Sequence, residues 1–219
     1  HKEYRRQRQM CIRDRLIYNT NFNETLYKDL DVLDYWGMFD SVSVGASLDA
    51  SGSRAELMRK GSDWKKTTDN RERMLKKCPN VDFYISPTLS IMNIQHVPEF
   101  HKDWTARGLL SPADLNVNVL QSPEWYRVDC LPTEMKVDIT HQLKEHIDWL
   151  SPKDHLQRAT NGFKSLISFM NNQDNTKHLK KFNEVTNQLD KVRTENFYQV
   201  FPELELSLIH ISEPTRPLY

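Results

Sequence analysis

Ser47, Asp49 and Arg59 are the residues of this chain whose types and spacing best suit ligand chemistry. Ser47 and Asp49 close an extended stretch, residues 42–49 (VSVGASLD). Val42, Val44, Ala46 and Leu48 fall on one side of it, and Ser43, Gly45, Ser47 and Asp49 on the other. The C-terminal ends of strands are where α/β sheets bind ligands, so Ser47 and Asp49 stand at the expected place. Arg59 follows ten residues after Asp49. Its guanidinium can take a ligand carboxylate through two parallel hydrogen bonds. The same three residues also read as a strand-end cap with a surface arginine, and residue chemistry leaves both readings open.

Other candidates carry less. Gly45-Ala46-Ser47-Leu48-Asp49 has a serine among small residues but lacks the final Gly of a nucleophile elbow. His96/His101 and His141/His146 stand five apart, so on a helix the rings of each pair diverge by about 140°, unlike an i,i+4 metal pair. Solvated or capping histidines are expected. Cys78 and Cys130 have no CxxC spacing and read as core or helix-end thiols. Lys65, Lys66, Arg71, Arg73, Lys76 and Lys77 are mixed with Asp and Glu and read as a solvated helix face. Asp190, Arg193 and Glu195 read as surface pairs or caps.

The elements that position these residues follow from periodicity. Extended stretches are expected at 16–21, 42–49, 82–93 and 115–122. Leu26, Leu30, Leu33 and Trp36 recur at helical spacing between the first two, and a charged helix spans 63–77 between the next. Val97, Phe100 and Trp104 form a helical stripe that Gly108 ends. Strands separated by helices predict βαβ units and a parallel sheet. An antiparallel sheet with one solvated face is the alternative.

In three successive strands one face is small and polar: Ser43, Gly45, Ser47; Tyr84, Ser86, Thr88, Ser90; and Asn116, Asn118. A parallel strand covered on both faces is nearly all apolar, and unpaired buried hydroxyls and amides are costly. That face is therefore expected to line a wet cavity for a polar ligand. Pro87 removes a ladder donor, so a bulge or irregular edge is expected there. After Pro132 the pattern becomes helical in three stripes, on Met135, Ile139, Leu143 and Ile147, on Leu156, Phe163, Leu166 and Met170, and on Leu179, Phe182, Val185, Leu189 and Val192, before Phe197, Phe201 and Leu204 tuck in.

Composition bounds the class. The 219 residues hold 30 Lys+Arg against 30 Asp+Glu, three Cys and six Gly. Balanced charge gives no footprint for nucleic acid or a membrane surface, and no apolar run reaches a membrane span. Three cysteines cannot close a disulfide framework, so a reducing, cytoplasmic setting is expected. Neither GxGxxG nor GxxxxGK[ST] occurs. Both ends, with QRQMCIRDR and SLIHISEPTR, resemble translated sequencing-adapter sequence. They hold seven of the 30 basic and three of the 30 acidic residues, which leaves the core 16–206 near −4. Segments 1–15 and 207–219 are thus expected to be non-native, and the chain to be an N-terminally truncated fragment.

The string ASLDASGSRAELMRKGSDW at 46–64 resembles the fourth-strand segment of radical S-adenosylmethionine (SAM) enzymes with a Twitch-type C-terminal region. YNTNFNETLYK at 18–28, ISPTLSIMNI at 85–94, LQSPEWYRVDCLP at 120–132 and the closing FPEL at 201–204 agree in order. The resemblance implies an α/β fold, the C-terminal part of a partial (β/α) TIM-like barrel with parallel strands over 16–132, followed by a helical C-terminal region at 133–206. It implies SAM and a 4Fe–4S cluster, with reductive cleavage of SAM starting radical chemistry on an unknown peptide or small-molecule substrate. The family's cluster sits on a CxxxCxxC loop, which is absent here, so the cluster is expected on a missing N-terminal half of the parent. By the same resemblance Ser47 contacts SAM on the fourth strand and Arg59 takes its carboxylate. Thr88, Ser90 and Asn93 line the fifth strand, Asn116 and Asn118 the sixth, and Asn19 and Asn21 border the site. A non-catalytic α/β module binding a small anion or a peptide, and a scaffold contacting a partner through its C-terminal helices, are the rival readings.

Overall fold

The computed structural model describes residues 15–205; of the adapter-like ends only Arg15 is among them, and Cys11 lies outside the described residues. Two compact units divide the chain, one of residues 15–87 and 99–116, the other of 88–98 and 117–205.

The first unit is built on a parallel three-stranded sheet. β1 (Arg15–Thr20), β4 (Ser41–Ala46) and β5 (Asp82–Ile85) lie in the order β1-β4-β5. The parallel pairing answers the alternative of an antiparallel sheet. Val42, Val44 and Ala46 alternate with Ser43 and Gly45, so the register sends Val44, Ala46, Phe83 and Ile85 to one side, where all are buried. Helix α3 (Trp64–Lys77) covers that side, and the Arg71 guanidinium lies 4.0 Å above the Phe83 ring. Asp63 starts α3 where the sequence places it, accepting a hydrogen bond from the Lys66 N–H. Trp64 packs edge-on to Phe100 of α4 (Val97–Ala106), and Gly108, at φ +69°, ends that helical stretch.

Two expectations change. Leu26 and Leu30 do not continue a helix with Leu33 and Trp36. They sit exposed on a small hairpin, β2 (Leu26–Tyr27) and β3 (Leu30–Asp31), and only Leu33 and Trp36 are buried, on α1 (Val32–Trp36). The turn at Lys28 takes a positive φ, and Asp31 caps α1 through the Leu33 N–H, so the helix starts only at Val32. The long third strand is also split. Ser86 donates the last ladder bond to the Ala46 carbonyl; Pro87 has no N–H to continue it, and the chain leaves the sheet.

In the second unit β6 (Thr88–Leu89) pairs in parallel with β7 (Asn118–Val119). Three amphipathic helices follow as the stripes predict: α5 (Thr133–Leu150), α6 (Arg158–Asn172) and α7 (Leu179–Arg193). Their buried stripes run through Ile139, Leu143 and Leu150, through Phe163, Leu166 and Met170, and through Leu179 and Phe182, while Leu156, which precedes α6, and Val192 in the last turn of α7 are exposed against expectation. Gly162 lets α6 lie against the chain entering β7, because a Cβ there would sit 2.7 Å from Val117 Cβ. Asn196 caps α8 (Phe197–Val200) by accepting from the Gln199 N–H, Asp190 accepts from the Phe197 N–H at its start, and Phe201 and Leu204 beyond it are buried. His96 Nε2 lies 2.6 Å from Glu203 Oε1 and ties that tail down. Among the described residues no helix is long and apolar enough to cross a membrane.

Two predictions follow from packing. Gly162→Ala should lower unfolding free energy in urea by about 1–3 kcal/mol, the usual cost of overpacking; an unchanged midpoint would contradict the close approach. The second concerns β1, which has β4 on one side and, among the described residues, no strand on the other. Ile17 is 59% exposed and Tyr18 41%, and Tyr18 joins Leu26, Tyr27, Leu30 and Tyr35 around a cavity of about 520 Å³. A bare apolar edge recruits other chains. Sedimentation velocity should detect self-association that Tyr18→Lys weakens at least tenfold, whereas equal association of both proteins would rule the edge out.

Candidate functional site

The register of the first unit's sheet arranges its second side in rows. Ile17, Ser43 and Asp82 share one row, and Asn19, Gly45 and Tyr84 share the next. The ladder then continues through Ser47, whose N–H donates to the Thr20 carbonyl, and Ser86, whose N–H donates to Ala46. Ser43 Oγ donates to Asp82 Oδ2 at 2.9 Å, so that pair satisfies itself. Leu115 bridges to Ile85 on the apolar side, which sets Asp114 and Asn116 on the polar side by alternation. Burial and the nearby Asp82 raise the pKa of Asp114.

At the C-terminal end of β4, Asp49 and Arg59 pair with each other, a contact that the sequence reading did not name. Arg59 Nε donates to Asp49 Oδ2 at 2.7 Å. Asp49 is buried, and the Arg59 side chain is 37% exposed. Gly52, at φ +58°, opens the short helix α2 (Gly52–Met58), and Arg59 caps its end, which returns the side chain toward Asp49. Asp49 therefore orients the guanidinium through its Nε edge. The two Nη groups carry no partner among the described residues and form the fork open to an anion. Ser47 is half-buried beside this pair in sequence.

Thr88, Ser90, Asn93 and Asn118 belong to the second unit. Thr88 and Asn118 are register partners across β6 and β7, half-buried and exposed respectively. Ser90 and Asn93 are buried, and Asn93 braces their turn: its Oδ1 accepts from the Ser90 N–H at 2.8 Å, and its Nδ2 donates to the Thr88 carbonyl at 3.1 Å. A turn-bracing amide spends its hydrogen bonds on the backbone. Asn116, in the first unit, is exposed, with its N–H on the Ile85 carbonyl.

Sequence reasoning missed several buried polar residues. Arg71 is not on a solvated face: it is 7% exposed, donates from Nε to the Leu109 carbonyl at 2.7 Å, and burial lowers its pKa to about 10. Its i,i+3 neighbour Met74, fully buried, was the available signal. His101 and His146 are fully buried rather than solvated, His146 stacking on Trp149 and meeting Phe163 edge-on. Both lie on the apolar stripes of their helices, which the pairwise spacing test ignored.

The thiols do not fit an iron–sulfur cluster. Cys78 caps the end of α3 in the first unit and Cys130 lies in a 3-10 turn of the second. Burial raises both thiols, Cys130 to about 12 with Asp129 adding to it, and neither has the CxxxCxxC spacing that a cluster loop needs. Among the described residues no three His, Cys, Asp or Glu side chains group to hold a metal ion. No family model, curated protein or solved structure matches the chain.

Alkylation checks the thiol assignment. At pH 8, iodoacetamide should label Cys78 and Cys130 at least a hundredfold more slowly in the native protein than in urea, read peptide by peptide by mass spectrometry. Fast native labelling of either would mark a thiolate that the burial argument excludes.

Proposed function

We propose that this chain is the SAM-binding portion of a radical SAM enzyme, its parallel sheet belonging to a partial (β/α) barrel that a cluster-bearing half completes. The supporting observation is the polar side of the β1-β4-β5 sheet, with in-register polar rows leading to a guanidinium held by Asp49 through one edge only. SAM carries a carboxylate at its amino-acid end, a sulfonium cation and an uncharged nucleoside; the Arg59 cation at one end of the surface suits the carboxylate, and the neutral Asn19–Gly45–Tyr84 row suits the nucleoside. Arg59 would take the carboxylate through its two Nη groups, with Ser47 beside it. Thr88, Ser90, Asn93, Asn116 and Asn118 remain assigned to SAM or substrate by resemblance. Bound SAM supplies the radical chemistry; these residues only bind and orient it. No step is assigned to the cluster, because the thiols of this chain do not fit one. The reading carries with it a reducing, cytoplasmic setting and a peptide or small-molecule substrate.

The Arg59 fork also suits a second reading, a non-catalytic α/β module that holds a small carboxylate there. Calorimetry separates the two. S-adenosylhomocysteine should bind the protein, Arg59→Ala should weaken it at least tenfold, and Arg59→Lys should not restore it, since an ammonium cannot reproduce a two-bond fork. Equal binding by Arg59→Ala would remove Arg59 from the site. Displacement of the ligand by millimolar acetate would favour the small-carboxylate module.

A further inference from the structure

The middle row of the polar side has a feature beyond the resemblance, which put Asn19 only at the border of the site and gave Gly45 and Tyr84 no role. Gly45 stands between Asn19 and Tyr84 in register. A Cβ on Gly45 would lie 2.6 Å from Asn19 Oδ1, 2.7 Å from the Tyr84 hydroxyl and 2.8 Å from Tyr84 Cζ. Both polar tips therefore converge over the glycine, in the space a side chain would fill. The near-equal distances to the hydroxyl and to Cζ mean that the Tyr84 C–O bond runs broadside across Gly45 instead of pointing away from the sheet. Neither side chain has a hydrogen-bond partner among the described residues, although the adjacent Ser43 and Asp82 satisfy one another. Asn19 is exposed and Tyr84 half-buried, so both tips are reachable from outside.

We infer that Asn19 and Tyr84, drawn together over Gly45, are ligand contacts for the uncharged nucleoside part of the bound molecule. Both side chains are neutral, so this row offers hydrogen bonds but no formal charge to pair with an ion. The amide and the phenol each donate and accept, which matches the hydroxyls and ring nitrogens of a nucleoside. Two residues along a strand advance about 6.6 Å, so this row lies one strand repeat below Ser47, with the Asp49–Arg59 pair beyond. A ligand held at Arg59 by its carboxylate lays its neutral body toward this row. Glycine at position 45 is then a requirement of the site: any side chain there displaces both contacts at once. The inference rests on the SAM reading above and adds the residues that select its nucleoside.

The test uses the intact protein, isothermal calorimetry and two probes: S-adenosylhomocysteine, and 5′-methylthioadenosine, which keeps the nucleoside and lacks the amino-acid end. Tyr84→Phe removes one hydroxyl and Asn19→Ala one amide, and each should weaken both probes about tenfold, since each leaves a ligand group unpaired. Gly45→Ala should weaken both further, and thermal melting checks that it folds. If both probes bind but Tyr84→Phe and Asn19→Ala bind methylthioadenosine as tightly as the unaltered protein, the nucleoside assignment falls and the Arg59 reading stands. Failure of the unaltered protein to bind either probe overturns both.

Discussion

The register of β4 between β1 and β5 is the constraint on which the first unit depends. A parallel strand has only two faces, and a slip of one residue exchanges them. Val42, Val44 and Ala46 are buried on one face beneath α3, so Ser43, Gly45 and Ser47 are committed to the other. Moving the register would bury Ser43 against Phe83 and Arg71 without partners. The position of every polar residue on the sheet is thus fixed by hydrophobic burial on its opposite side. The aromatic cluster of Trp64, Phe100 and Trp104 extends that burial away from the sheet.

Rigid elements rather than long loops carry the candidate contacts. Asn19, Gly45 and Tyr84 are inside strands, and Arg59 is held by a short helix and by a buried carboxylate. The second unit spends its polar groups differently. Asp129 binds the Arg127 guanidinium and the Asn175 amide, and Lys136 donates to the Gln173 carbonyl. Burial lowers the pKa of Lys136, so this ammonium is held at a cost that its hydrogen bond offsets. Those bonds fasten the turn between α6 and α7 and leave the groups little capacity for a ligand.

Alternation and helical periodicity made much of this legible. The parallel βαβ pattern, the cap at Asp63, the stop at Gly108 and the three C-terminal helices all follow from local rules, because burial and backbone bonding act there over a few residues. The hairpin at 26–31 was hidden because Leu26 and Leu30 mimic a helical stripe, while the turn depends on a positive φ at Lys28 that its residue type does not announce. Arg71, His101 and His146 escaped because residue type was weighed before stripe position. Asp49 and Arg59 were legible as candidates near one strand end, but that they pair with each other, and through which edge of the guanidinium, needed coordinates. Asn19 and Tyr84 converge across three strands, a relation that no local window contains.

Hydrogen–deuterium exchange with and without saturating S-adenosylhomocysteine tests most directly whether the polar side of this sheet is a ligand surface. Exchange should slow in peptides covering 17–21, 43–49 and 82–86, where the polar rows and Ser47 lie. Unchanged exchange in all three, or slowing confined to 133–205, would contradict the assignment of the site to the sheet.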